Sequence, residues 1–95
     1  MDQGGTFIIK RGGRRDSESF SPKKLHESIL AIMLSSGAHV GQAEHTARRV
    51  VTEVEEWLKE RPEVKSDDLR RVAGDILSRY HPDAGYLYKH HRVTL

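Results

Sequence analysis

The chain has 95 residues, room for one small domain with a single modest core and too few for a multidomain enzyme. Hydrophobic residues make up 36% and charged residues 32%, and sixteen Lys+Arg against fourteen Asp+Glu leave a net charge of +2, short of a polycationic nucleic-acid binder. There is no cysteine, which excludes disulfides, thiolate metal sites and a cysteine nucleophile.

A secreted chain of this size would ordinarily need such staples, so a cytoplasmic setting is expected. No apolar run approaches the roughly 20 residues that cross a bilayer, so no membrane association is expected. Residues 1–5 form a flexible leader. Thr6-Phe7-Ile8-Ile9-Lys10 is a short β-rich run, and Arg11-Gly12-Gly13-Arg14 holds the glycine pair of a tight turn. The chain returns through a more polar strand from Arg15 to Phe20, closing a hairpin. Ser21-Pro22 then opens a helix, with a capping hydroxyl followed by a proline whose missing N–H costs nothing there.

Leu25, Ile29, Ile32 and Met33 form the apolar stripe of this first helix, and Gly37 stops it. Gly41-Gln42 opens a longer helix carrying Ala47, Val50, Val51, Val54, Trp57 and Leu58 on one face, with Pro62 barring its continuation. Ser66 is expected to cap a third helix, in which Leu69, Val72, Ala73, Ile76, Leu77 and Tyr80 repeat the spacing. His81-Pro82-Asp83 breaks the chain and starts a short fourth helix. The expected fold class is α+β, mostly α: an N-terminal β-hairpin lid packed on a bundle of about four helices. Residues 6–92 make one domain, followed by a tail at 93–95. A lone hairpin is marginal in water, so Phe7, Ile9 and Phe20 are expected to hold it on the bundle.

No catalytic or metal-binding constellation stands out. There is no phosphate loop of Walker spacing, no dinucleotide fingerprint and no His-Glu-x-x-His pair. Asp67-Asp68 and Glu55-Glu56 diverge around their helices, as do His90 and His91. The hairpin turn is different, because Lys10, Arg11, Arg14 and Arg15 crowd four cations around two glycines. Two readings stay open: cations that discourage edge-to-edge aggregation, or an anion site in which turn N–H groups add to the side-chain charge. Lys23 and Lys24 sit in the first turn of helix 1, against the helix dipole, a small penalty that a bound phosphate would offset.

The ordered set Phe7-Ile8-Ile9-Lys10-Arg11-x-Gly13-Arg14-Arg15, then Glu18-x-Phe20-Ser21-x-x-Lys24-Leu25, resembles the opening of the ATP-cone family. Ala47-Arg48-Arg49-Val50-Val51, Val64-x-Ser66-x-Asp68-Leu69 and the ending Ala84-Gly85-Tyr86-Leu87-Tyr88-Lys89-His90-His91-Arg92 extend the resemblance over residues 6–92. In that family the domain binds ATP or dATP beneath the hairpin and acts as an allosteric sensor in ribonucleotide reductases and in the repressor of their genes. The reductase does not fit in 95 residues and the repressor's zinc ribbon needs cysteines, so a stand-alone or separated cone is expected.

The resemblance implies a non-catalytic, adenine-nucleotide-binding regulatory module taking ATP or dATP with Mg2+, either homo-oligomeric or acting on a regulated protein partner. It implies that Lys10 and Arg11 meet the phosphates and that Glu18 accepts from the adenine amino group. Phe20 and Ile9 flank the base, Ser21 bonds near it, and Lys24 reaches base or phosphate. Ser66 lies near the phosphates, Arg70 near the sugar, and Lys89 and Arg92 complete the charge balance. Gly12 stands where the family often has Asp or Asn, and Arg70 where it often has His. Asp16-Ser17 adds two residues before Glu18, which predicts a disturbed strand register. The alternatives are a degenerate cone serving as a protein-interaction bundle, and a small nucleic-acid-binding protein. Against the latter stand the near-balanced charge and a hairpin turn without stacking aromatics.

Overall fold

The computed structural model describes residues 5–10 and 13–90. Its elements are β1 (Phe7–Lys10), β2 (Gly13–Ser19), α1 (Pro22–Ser35), α2 (Val40–Leu58), β3 (Glu63–Lys65), α3 (Ser66–Tyr80) and α4 (Pro82–His90). The class is α+β and mostly α, with four helices and a small sheet, as the sequence implies. What the sequence did not suggest is β3. It pairs parallel to β1 on the side opposite β2, so the sheet has three strands in the order β2-β1-β3. Three residues are too few for an alternating pattern to show, and β1, by offering a free edge, makes this segment a strand. The Phe7 N–H donating to the Pro62 carbonyl at 2.9 Å starts that ladder.

With β1 central, one face of the sheet lies on the helices, and alternation lets only every second residue reach them. Ile8 takes that place, 3% exposed and in register with the buried Val64. This corrects the expected anchors. Phe7 faces outward at 49% exposure and Ile9 is half-buried, while Phe20 does pack against the core. Pairing runs Phe7↔Ser19 and Ile8↔Glu18, then shifts to Lys10↔Gly13. The excess residues of β2 are thus taken up as a bulge between Ile8 and Lys10, at Asp16-Ser17, where a disturbed register was expected.

Ser21 caps α1 as expected, its hydroxyl accepting from the Lys24 N–H at 3.1 Å. Gly37, at φ 92°, ends the turn that follows α1 in the left-handed region that favours glycine. Ser66 differs from its expectation. Lys65 is the N-cap of α3, without a side-chain hydrogen bond, and Ser66 is the first helical residue. The reason is β3: Lys65 is held extended by its pairing with Ile9, and the helix begins immediately after it. At the next break, the His81 Nδ1 accepts from the Ala84 N–H at 3.1 Å and caps α4.

The core joins all four helices and the sheet through residues such as Leu25, Ile29, Met33, Val50, Val54, Leu69 and Leu77. Tyr88 of α4 is wholly enclosed, and its hydroxyl lies 2.7 Å from Ser28 Oγ on α1. The Ser28 hydroxyl also reaches the Leu25 carbonyl at 2.8 Å. Burial pushes the Tyr88 hydroxyl up to about 12, with the Ser28 bond and the Arg70 charge opposing. The folded chain therefore keeps a proton that the unfolded chain, titrating near 10, has released.

The stability that Tyr88 contributes is accordingly full below pH 10 and is lost as pH rises through 10 to 12, by about 3 kcal/mol for a two-unit shift. Urea unfolding across that interval should show this slope, and Tyr88→Phe should flatten it. An equal slope in the variant would assign the loss to other groups.

Candidate functional site

Cross-strand partners share a face of the sheet. Glu18 is opposite Ile8, and Lys10 follows Ile8 by two, so all three project toward the helices. Glu18 belongs to the outer strand and so meets the rim of α1, where the first turn presents Lys24. One carboxylate oxygen, Glu18 Oε2, takes both cations, Lys10 Nζ at 2.9 Å and Lys24 Nζ at 3.2 Å. The Lys10 and Lys24 hydrogen bonds, with their charges, hold the Glu18 carboxyl below the usual carboxylate range. These contacts are present above the ordinary carboxylate pKa and are lost as pH falls through the lowered one.

Behind this clasp lies a cavity of about 10 Å³, walled by Ile8, Phe20, Leu25 and Leu69 and rimmed by Glu18, Ser21 and Lys24. It has room for one water at most, whereas ligand pockets hold several hundred Å³. Phe20 is also a wall of an adjoining open trough of about 460 Å³, bordered by Thr6, Pro22, Glu55, Leu58 and Lys59. Movement of Phe20 would connect the two spaces.

Five of the expected site residues thus gather at one place: Lys10, Glu18, Phe20, Ser21 and Lys24. Leu69 brings the first turn of α3 to the same cavity, between Ser66 and Arg70 on that turn. The Arg70 guanidinium pairs with Asp67 at 3.2 Å through Nη1, and its buried Nε has no hydrogen-bond partner among the described residues. A buried orphan donor is costly, and an acceptor from outside the chain would satisfy it. Lys89 is engaged elsewhere, its Nζ on Asp75 at 2.8 Å and its stem crossing Gly74.

Arg11 and Arg92 lie outside the described residues, as do Gly12, His91 and the side chains of Arg14 and Arg15. Sequence reasoning missed Ile8 and Leu69 as cavity walls. Both stand in the signals already used, a strand and a helix stripe, but only packing shows that they face each other. Among the described residues no group of three His, Asp or Glu side chains could hold a metal ion, and no helix is long and apolar enough to cross a membrane.

These features define a small α+β protein whose hairpin and helices enclose a cationic, apolar-walled recess. Comparison with protein-family models, with curated proteins and with solved structures finds no match in any of the three.

Proposed function

We propose that this chain is an adenine-nucleotide-binding regulatory module, taking ATP or dATP with Mg2+ between the hairpin and the first turns of α1 and α3. The observation that carries the reading is the meeting of Lys10, Glu18 and Lys24, from three separate elements, at the mouth of an apolar recess. Two ammonium groups suit a polyphosphate, and a carboxylate facing an apolar slot suits an exocyclic amino group. Arg70, which the reading places near the sugar, follows Leu69 of the cavity wall directly on α3. A sensor of this kind works by population shift, the nucleotide favouring one arrangement of the hairpin or one oligomeric state.

Titration calorimetry with Mg-ATP tests the proposal, with Mg-GTP as control. The expected result is saturable binding near micromolar Kd, about −8 kcal/mol, with GTP much weaker. Absence of heat and of thermal stabilisation at millimolar ATP would remove it. Glu18→Gln is expected to reduce the preference for ATP over GTP by roughly tenfold, the worth of one charge-assisted hydrogen bond. An unchanged ratio would mean that the base is recognised elsewhere. The closed cavity and the exposed Leu34, Val40 and Tyr86 favour a second reading, a cone-like bundle that binds a protein instead of a nucleotide.

A further inference from the structure

We propose that Glu18 is the resident anion of this site: its carboxylate holds Lys10 and Lys24 where phosphate would sit, keeps the base cavity shut, and must be displaced by a polyphosphate before a base can enter. The proposal rests on the nucleotide reading above and adds an order of events to it.

A single oxygen, Glu18 Oε2, accepts from both lysines, at 2.9 and 3.2 Å. Those are the two ammonium groups that the nucleotide reading assigns to the ligand, so carboxylate and phosphate compete for the same donors. Glu18 and Lys24 are also on the rim of the 10 Å³ cavity, so their contact closes its mouth. Enlarging that cavity at the clasp to admit a purine requires β2 to part from α1, and Phe20, the residue that directly follows β2, moves with it. Among the described elements β2 packs its backbone against β1 alone, and the bulge between Ile8 and Lys10 interrupts its ladder beside the clasp. The side-chain bridge from Glu18 to Lys24 is therefore a tie between the outer strand and the helix, placed at the weak point of the hairpin.

The charges decide who wins the competition. Glu18 offers one negative charge, and its ion pairs are partly exposed to water, where such pairs are weak. A polyphosphate brings several charges and bridges both lysines at once. Once it takes them, Glu18 is left facing an opened recess with its acceptor capacity free, which is the state that an adenine amino group needs. Phosphate thus enters first and creates the base site, and adenosine without phosphate finds the recess closed.

The test uses inorganic tripolyphosphate, which has no base. Glu18→Gln removes the competing charge with little change in shape. It is expected to bind tripolyphosphate about fivefold more tightly than the unmodified chain, the worth of an exposed ion pair or two. In a Lys10→Met/Lys24→Met background the same change should gain nothing, whereas a general loss of negative charge would act in both backgrounds. In ligand-free Glu18→Gln, amides of β2 and Phe20 should exchange several-fold faster while those of α2 are unaffected.

Equal tripolyphosphate affinity in the two chains, an equal gain in the double-Met background, or unaltered exchange in β2 would each overturn the proposal. A chain that shows the tripolyphosphate gain without preferring ATP over GTP keeps the clasp and loses the adenine reading. One that prefers ATP and shows no gain in Glu18→Gln does the reverse.

Discussion

Replacing Lys10 and Lys24 together with alanine should lower ATP affinity on the order of 100-fold or more while leaving the helical circular dichroism intact. Each ammonium would give the polyphosphate a charge-assisted hydrogen bond, worth about 1.5–3 kcal/mol in a shielded site. Both groups are partly open to solvent, so the lower end applies, and two such losses amount to about 3 kcal/mol. The cost to the fold is small by contrast. Neither lysine is in the core, and Lys24 stands in the first turn of α1, where its charge opposes the helix dipole. Calorimetry and dichroism on the same samples separate the two effects. Retained affinity would sink the assignment of these lysines to phosphate, and lost helicity would make them structural.

The largest effect on stability is expected from Gly85→Ala. Helices α3 and α4 cross where Gly85 faces Ser78, and a Cβ at Gly85 would strike Ser78 Oγ and come within 2.6 Å of Ser78 N and Cα. Ser78 lies in the last turn of α3, where its backbone atoms cannot rotate aside as a side chain does, so the helices must separate. Ala84 and Tyr88, both wholly enclosed on α4, would move with them. Overpacking of this kind costs about 1–3 kcal/mol, and the backbone clash puts Gly85→Ala at the upper end, a fall of roughly 12–24 °C in Tm for a domain of this length.

Gly74→Ala is the informative contrast. There the Cβ would clash with side-chain atoms alone, the Cγ and Cδ of Lys89, which a rotation of that chain clears at the loss of its Asp75 pair, and the Gly85 carbonyl at 3.5 Å is in ordinary contact. The better helix propensity of alanine offsets part of that loss, so a change within about 1 kcal/mol is expected. Thermal unfolding followed by dichroism compares the two directly. Similar melting temperatures for both variants would show that α4 can withdraw from α3 freely.

The parts of this protein that were legible in its sequence are those with local causes. The Leu25-Ile29-Met33 stripe, the Ser21-Pro22 start and the proline at position 82 each act within a turn or two of chain, so the helices fall where their residues say. The gathering of Lys10, Glu18 and Lys24 was partly legible too, because hairpin alternation and a helix first turn place them on neighbouring surfaces. The closure of the cavity behind them was not, since it depends on Phe20 meeting Leu69 from a segment nearly fifty residues away.

Tertiary structure decided what depends on partners distant in the chain. Glu63–Lys65 carries no strand period, and it becomes β3 because β1 has an edge to fill. That pairing makes β1 central, turns Ile8 instead of Phe7 and Ile9 to the core, and hands the cap of α3 to Lys65 in place of Ser66. Sequence by itself determined which segments become helices and which cations surround the turn, because propensity, capping and charge are properties of the residues themselves. Which face is buried, and which anion those cations hold, was left to the fold, because burial and ion pairing are properties of pairs.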